Sequence, residues 1–141
     1  MGNDIGKNVT DYQKHNSCKL NITSKYVLNT LEQYNITQNK SLTLQFPTNI
    51  DSKNIHHFIR GYFDGDGSFY KIYEIVGNQQ FLQSLVNSLP FKCEYSLYKP
   101  KDKNIYVLRI RTKSLKQFFD FMYKDATIYL DRKYQKQLML K

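Results

Sequence analysis

The chain has 141 residues, 40% of them hydrophobic, which is enough to bury one core and too few for a second full domain. Twenty-one Lys and Arg against twelve Asp and Glu leave a net charge of +9, spread along the chain in the way that suits a long polyanionic partner. An aromatic content of 15% argues against a disordered basic protein, and no run approaches the roughly 20 apolar residues of a membrane span.

Residues 1–17 are polar and aperiodic and read as a flexible N-terminal arm. Cys18-Lys19-Leu20-Asn21-Ile22 alternates like a short strand, after which Ser24 caps a helix with Val27, Leu28, Leu31 and Tyr34 on one face. Leu42-Thr43-Leu44-Gln45-Phe46 is a second short alternation, closed by Pro47. Asp51 or Ser52 then caps the most regular helix of the chain, in which Ile55, Phe58, Ile59, Tyr62 and Phe63 keep helical spacing until Gly65 and Gly67 end it. Ser68 to Val76 reads as strand, too short for two strands of about five residues and a turn. Asn78 opens a helix with Phe81, Leu82, Leu85, Val86 and Leu89 on its buried face, stopped by Pro90.

Residues 91–98 and 105–111 alternate on either side of Lys99-Pro100-Lys101-Asp102-Lys103-Asn104 and predict a hairpin with a basic tip. Phe91, Cys93, Tyr95 and Leu97 share one face with Tyr106, Leu108 and Ile110, while Lys92, Ser96, Tyr98, Arg109 and Arg111 show on the other. A helix with Leu115, Phe118, Phe119 and Met122 on one side follows, and a last basic helix runs from about Leu130 to Leu140. Cys18 and Cys93 lack CxxC or His-paired spacing, so neither zinc nor a disulfide framework is indicated. His56 and His57 are expected on the exposed side or edge of their helix. The polar start of the chain, without a signal-peptide core, and its Asn, Lys, Ile and Tyr bias suggest an intracellular protein of a bacterial or phage-infected cytoplasm.

The chain also matches itself at an offset of 88 residues: Leu20 to Val27 lies over Leu108 to Leu115, each copy a strand, then Ser or Thr followed by Lys, then an amphipathic helix. This suggests the back end of one unit, over residues 18–50, followed by a whole unit over 51–141.

Within the helix of Ile55 to Phe63, Gly61 and Gly65 lie four apart on one face, the small-xxx-small pattern of closely crossing helices. Asp64 and Asp66 follow in an Asp-Gly-Asp-Gly run. A calcium loop is the wrong reading of it, because the twelfth position counted from Asp64 is Ile75 where an EF-hand needs Glu. Ile59-Arg60-Gly61-Tyr62-Phe63-Asp64-Gly65-Asp66-Gly67 resembles the LAGLIDADG nonapeptide of homing endonucleases. The resemblance implies an α+β fold with an αββαββα unit, here with a shortened first hairpin, and metal-dependent cutting of long duplex DNA sites. It also implies residue roles. Asp66 is the metal-binding carboxylate and the Gly65 carbonyl lies near the metal, with Mg²⁺ the expected ion. Gly61 and Gly65 sit in a helix interface, here that of a homodimer through the Ile55–Asp64 helix. Lys113, at the end of the last strand, matches a basic residue near the active site, and the internal repeat makes Lys25 its counterpart. Lys92, Lys99, Lys101, Lys103, Arg109 and Arg111 would contact double-stranded DNA. Two departures favour an alternative, a non-catalytic protein that regulates through DNA or inhibits a host protein or nucleic-acid complex: no acidic motif precedes residue 20, and the first hairpin is short. The same basic surface would also permit RNA binding.

Overall fold

The computed structural model describes residues 6–12, 14, 17–34, 36, 43–69 and 72–139. The chain divides into two compact units, Met1–Thr37 and Gln38–Lys141.

In the first unit, β1 (Gly6–Tyr12) pairs antiparallel with β2 (Ser17–Thr23), and α1 (Lys25–Gln33) follows. The Ser24 side chain accepts from the Val27 amide at 3.3 Å, the N-cap its sequence position predicts. Residues 6–12 are therefore strand rather than loose arm. Their register with β2, from Gly6 opposite Thr23 to Tyr12 opposite Ser17, supplies the backbone partners that a polar, aperiodic sequence does not advertise.

The second unit is built on a four-stranded antiparallel sheet in the order β3-β4-β6-β5. Its elements are α2 (Ile55–Asp66), β3 (Gly67–Phe69), β4 (Tyr73–Gly77), α3 (Gln79–Asn87), β5 (Tyr95–Tyr98), β6 (Tyr106–Ile110), α4 (Thr112–Tyr123) and α5 (Asp131–Leu138). Ile59, Phe63, Tyr73, Phe81, Leu82, Leu85, Leu108 and Phe118 are fully buried and define one aromatic-rich core. Phe63 stacks on Tyr73 at 4.3 Å between ring centroids, and Phe119 packs edge-on against Tyr73 at 5.0 Å.

Several expectations change. The stretch Ser68 to Val76, read as a single strand, is instead the shortened first hairpin that the resemblance implies, with three pairs from Gly67 opposite Ile75 to Phe69 opposite Tyr73, because a three-residue strand suffices when β4 is already held by β6 on its other side. The segment 43–47 is not strand and belongs to the second unit, not to a first-repeat remnant reaching residue 50. Leu44 is buried in the second core, its carbonyl accepts from Asn78 Nδ2 at 2.6 Å, and Phe46 packs on Phe58 and Phe81. Leu42, the first residue of that alternation, lies outside the described residues. His56 is buried rather than exposed, its ring 3.9 Å from that of His57.

Candidate nucleic-acid and metal site

The motif helix α2 is preceded by a single 3-10 turn capped by Asp51, whose side chain accepts from the Lys53 amide at 3.1 Å. It continues through Gly65 to Asp66, so both aspartates belong to the helix rather than to a loop after it. Gly67 ends it, and a side chain there would collide with the Phe63 ring and carbonyl. That close approach explains why glycine stands at 67. Gly61 and Gly65 differ: both are exposed, and a Cβ at either would meet nothing within 4 Å among the described residues. The packing of the described residues does not require glycine at those two positions.

The two aspartates have different surroundings. Asp64 Oδ2 accepts from the Leu130 amide at 3.1 Å, and Oδ1 is buried, so this side chain joins α2 to the start of α5. Asp66 is exposed at the last helical residue. Its negative charge, together with burial, pushes the Tyr62 hydroxyl up to about 12, burial being the larger cause. No group of three or more His, Cys, Asp or Glu side chains could hold a metal among the described residues. The available donors are one free carboxylate and neighbouring main-chain carbonyls. Such a set suits a hard, oxygen-seeking, largely hydrated cation that shares its coordination with phosphate, and does not suit a closed structural site.

The helix end is secured from α5. Lys133, 3% exposed, donates from Nζ to the carbonyls of Phe63, Asp64 (2.8 Å) and Gly67 (2.7 Å), and its ammonium lies 4.6 Å from the Phe63 ring centroid. A cation at a helix C-terminus meets the negative end of the macrodipole and its unpaired carbonyls. Burial holds the Lys133 ammonium below its ordinary pKa, while Asp64 and Asp66 act in the opposite direction. Arg60, one turn before Asp64 on the same side of the helix, donates to Met122 O at 2.9 Å and Ile128 O at 3.0 Å. Neither residue stood out in the sequence. The signal for Lys133 was its place beside Tyr134 and Gln137 on the inward stripe of a helix read only as basic.

Helices pack on one face of the sheet, against Tyr73, Ile75, Leu108 and Ile110. The alternate residues form the opposite face, where the register aligns Ser68, Glu74, Arg109 and Ser96 in one row across all four strands. Val76, Val107 and Tyr98 form the next row. Arg109 is not a free cation: it donates from Nε and an Nη to Glu74 Oε1 at 2.9 and 2.7 Å. Tyr98 Oη closes the group, accepting from Arg109 and donating to Glu74, both at 3.1 Å. Glu74 was not singled out by the sequence; its alternation with Ile75 put it opposite the core, but its pairing to Arg109 depends on register.

The remaining predicted contacts, Lys92, Lys99, Lys101, Lys103 and Arg111, are exposed. The three lysines sit in the β5–β6 connection, where Asp102 takes a left-handed φ of 61°. Lys113 is exposed in the first turn of α4. It follows the row Phe69–Tyr73–Ile110, whereas Asp66 precedes the row Gly67–Ile75–Leu108, so the two lie beyond opposite ends of the β3 pairing. Lys25 opens α1 in the first unit.

No family model and no curated protein matches this chain. Solved structures do. The chain resembles mesophilic variants of the homing endonuclease I-DmoI at a TM-score of 0.58 and 16% identity, over 84% of this chain and 63% of that one. It resembles I-DmoI in complex with DNA and Mn at a TM-score of 0.55 and 17% identity, over 90% of this chain and 66% of that one. This chain thus spans less than two thirds of the length of either structure. At such identity the likeness is one of architecture, and the chain has the LAGLIDADG homing-endonuclease fold.

Proposed function

We propose that this protein binds double-stranded DNA across the open face of its four-stranded sheet and, as a dimer, cleaves it with a divalent metal held at Asp66. The observation that carries the reading is an exposed carboxylate at the end of α2 in a unit that also exposes Lys92, Lys99, Lys101, Lys103 and Arg111 in the segments flanking β5 and β6. The exposed cations contact phosphates, and the half-buried Arg109 and Ser96 and the exposed Tyr98 face the groove. The Asp66 carboxylate and the Gly65 carbonyl supply hard oxygen donors at the helix end. A bound Mg²⁺ or Mn²⁺ contributes Lewis-acid activation of phosphate and water. In this reading a second chain brings a second Asp66, and Gly61 and Gly65, exposed and with nothing within 4 Å of an added Cβ among the described residues, let the two α2 helices approach. The hairpin and helix of the first unit repeat the order of β5, β6 and α4 at the 88-residue offset, which supports descent from a duplicated unit.

Filter binding from low to moderate salt, with plasmid cleavage on the same preparation, tests this. The affinity should fall steeply with salt, and Asp66→Asn should abolish metal-dependent double-strand cleavage while leaving binding intact. An affinity indifferent to salt, or cleavage that survives Asp66→Asn, refutes the assignment. The three-residue β3, which shortens the first hairpin of the sheet, also supports a second reading, a DNA-binding protein that no longer cuts. Tight, salt-steep binding without cleavage by any divalent metal would decide for it.

A further inference from the structure

Lys133 spends all three of its ammonium donors on the end of the motif helix, and the distribution of those contacts matters more than their number. Two of the accepting carbonyls belong to Phe63 and Asp64, before the Gly65-Asp66 pair, and the third belongs to Gly67, immediately after it. One buried charge therefore fixes the backbone on both sides of the exposed carboxylate. The Phe63 carbonyl also accepts from the Gly67 amide, the last helical bond of α2. The contacts that Lys133 makes pass over Gly65, which leaves the one carbonyl adjoining Asp66 on the helix side outside the clamp. Lys133 is itself held in place. It is almost fully buried, its helix begins at the residue after Leu130, and the Leu130 amide is bonded to the Asp64 carboxylate.

We infer that Lys133 is the positioning residue for a cation site made by Asp66 and the Gly65 carbonyl. It touches neither the metal nor the DNA: it gives the last turn of α2 a single geometry, so that carboxylate and carbonyl face a hydrated divalent cation together. A site with so few protein donors depends on preorganisation, since each donor that must be ordered on binding lowers affinity. The inference rests on the metal reading proposed above and adds to it a residue outside the motif, 67 positions along the chain from Asp66.

The test compares full-length wild type with Lys133→Met, which keeps the length of the side chain and removes its charge and donors, and with Asp66→Asn. Amide hydrogen exchange of metal-free protein reads the clamp directly. Exchange at Gly65, Asp66 and Gly67 should accelerate at least about ten-fold in Lys133→Met while the β4–β6 amides stay protected. Mn²⁺ binding, followed by paramagnetic broadening or calorimetry, reads the site without any cleavage assay. Lys133→Met should lose about ten-fold or more in Mn²⁺ affinity, the range found for outer-shell partners of metal ligands. If Lys133→Met does not fold, Lys133→Gln, which retains two amide donors, is read in the same way, and its Mn²⁺ affinity should fall between those of wild type and Asp66→Asn. Wild-type Mn²⁺ affinity in a folded Lys133 variant, or unchanged exchange at Gly65–Gly67, overturns the positioning role alone. Wild-type binding no tighter than that of Asp66→Asn overturns the Asp66 site, and the role of Lys133 with it.

Discussion

The Glu74–Arg109 pair gives the sheet face a charge pattern that the sequence alone would misjudge, and Glu74→Gln is the substitution that exposes it. In the wild-type protein both donating nitrogens of Arg109 converge on one carboxylate oxygen, so the guanidinium is already neutralised where DNA would lie. Glutamine keeps the size and the acceptor oxygen but removes the charge, leaving Arg109 with a full unit of charge on the face. One added phosphate neutralisation steepens the dependence of log affinity on log salt by about 0.9 for duplex DNA, which at about 0.1 M salt, a decade below a 1 M reference, is about an eight-fold gain in affinity. Arg109→Ala on the Glu74→Gln background should remove that gain. Asp120→Asn in α4 changes net charge by the same amount, but on an exposed helix position paired to Lys116 at 2.7 Å, and should alter the slope far less because a Debye length of about 10 Å screens it from the face. The assay is filter binding on a long duplex at four or more salt concentrations. If Glu74→Gln leaves the slope unchanged, or Asp120→Asn steepens it equally, the sheet face is not where DNA binds.

Three further outcomes follow from packing and charge. Gly61→Ala should leave the isolated chain as stable as wild type or up to about 1 kcal/mol more so, because alanine is the better helix former and meets open space, while weakening any dimer built on α2; thermal melts and light scattering check both halves. Gly67→Ala should destabilise strongly in the same melts, since its methyl group must displace the buried Phe63 ring from its stack on Tyr73. Stability should fall as the solution is acidified from pH 7 to 5. Burial foremost, then the charges of His57, Arg60 and Lys124 outweighing Asp125, hold the His56 imidazole below its ordinary value of 6.5. The unfolded chain then binds the proton first, so the His56 contribution is fully present above about pH 6.5 and is lost as pH falls through the lowered folded value. His56→Gln should flatten the dependence of melting temperature on pH, and an unaltered slope would remove His56 as its source.

Much of this was legible in the chain, and for local reasons. Helical spacing identified α2, α3 and α4 together with most of their buried apolar residues, because a helix that covers a core must repeat its apolar side chains every three to four positions whatever lies opposite. Period-two alternation assigned the two faces of β5 and β6, because successive side chains of a strand point to opposite sides of the sheet. What escaped depends on partners distant in sequence. The strands β1 and β3 carry little patterning of their own and exist because β2 and β4 offer them a register. Whether Arg109 is a free cation is decided by Glu74, 35 residues away, across a strand pair. Asp64 and Asp66 look equivalent on paper, yet Leu130 captures the first and leaves the second exposed. Lys133 reads as one more charge on a basic helix until the fold sets its ammonium against three carbonyls at the end of α2. Residue type and periodicity settle which side chains must avoid water. Which polar groups then neutralise one another is set by distances that only the folded chain possesses, since a charge or hydrogen bond acts over a few ångströms of space however far apart its two ends lie in sequence.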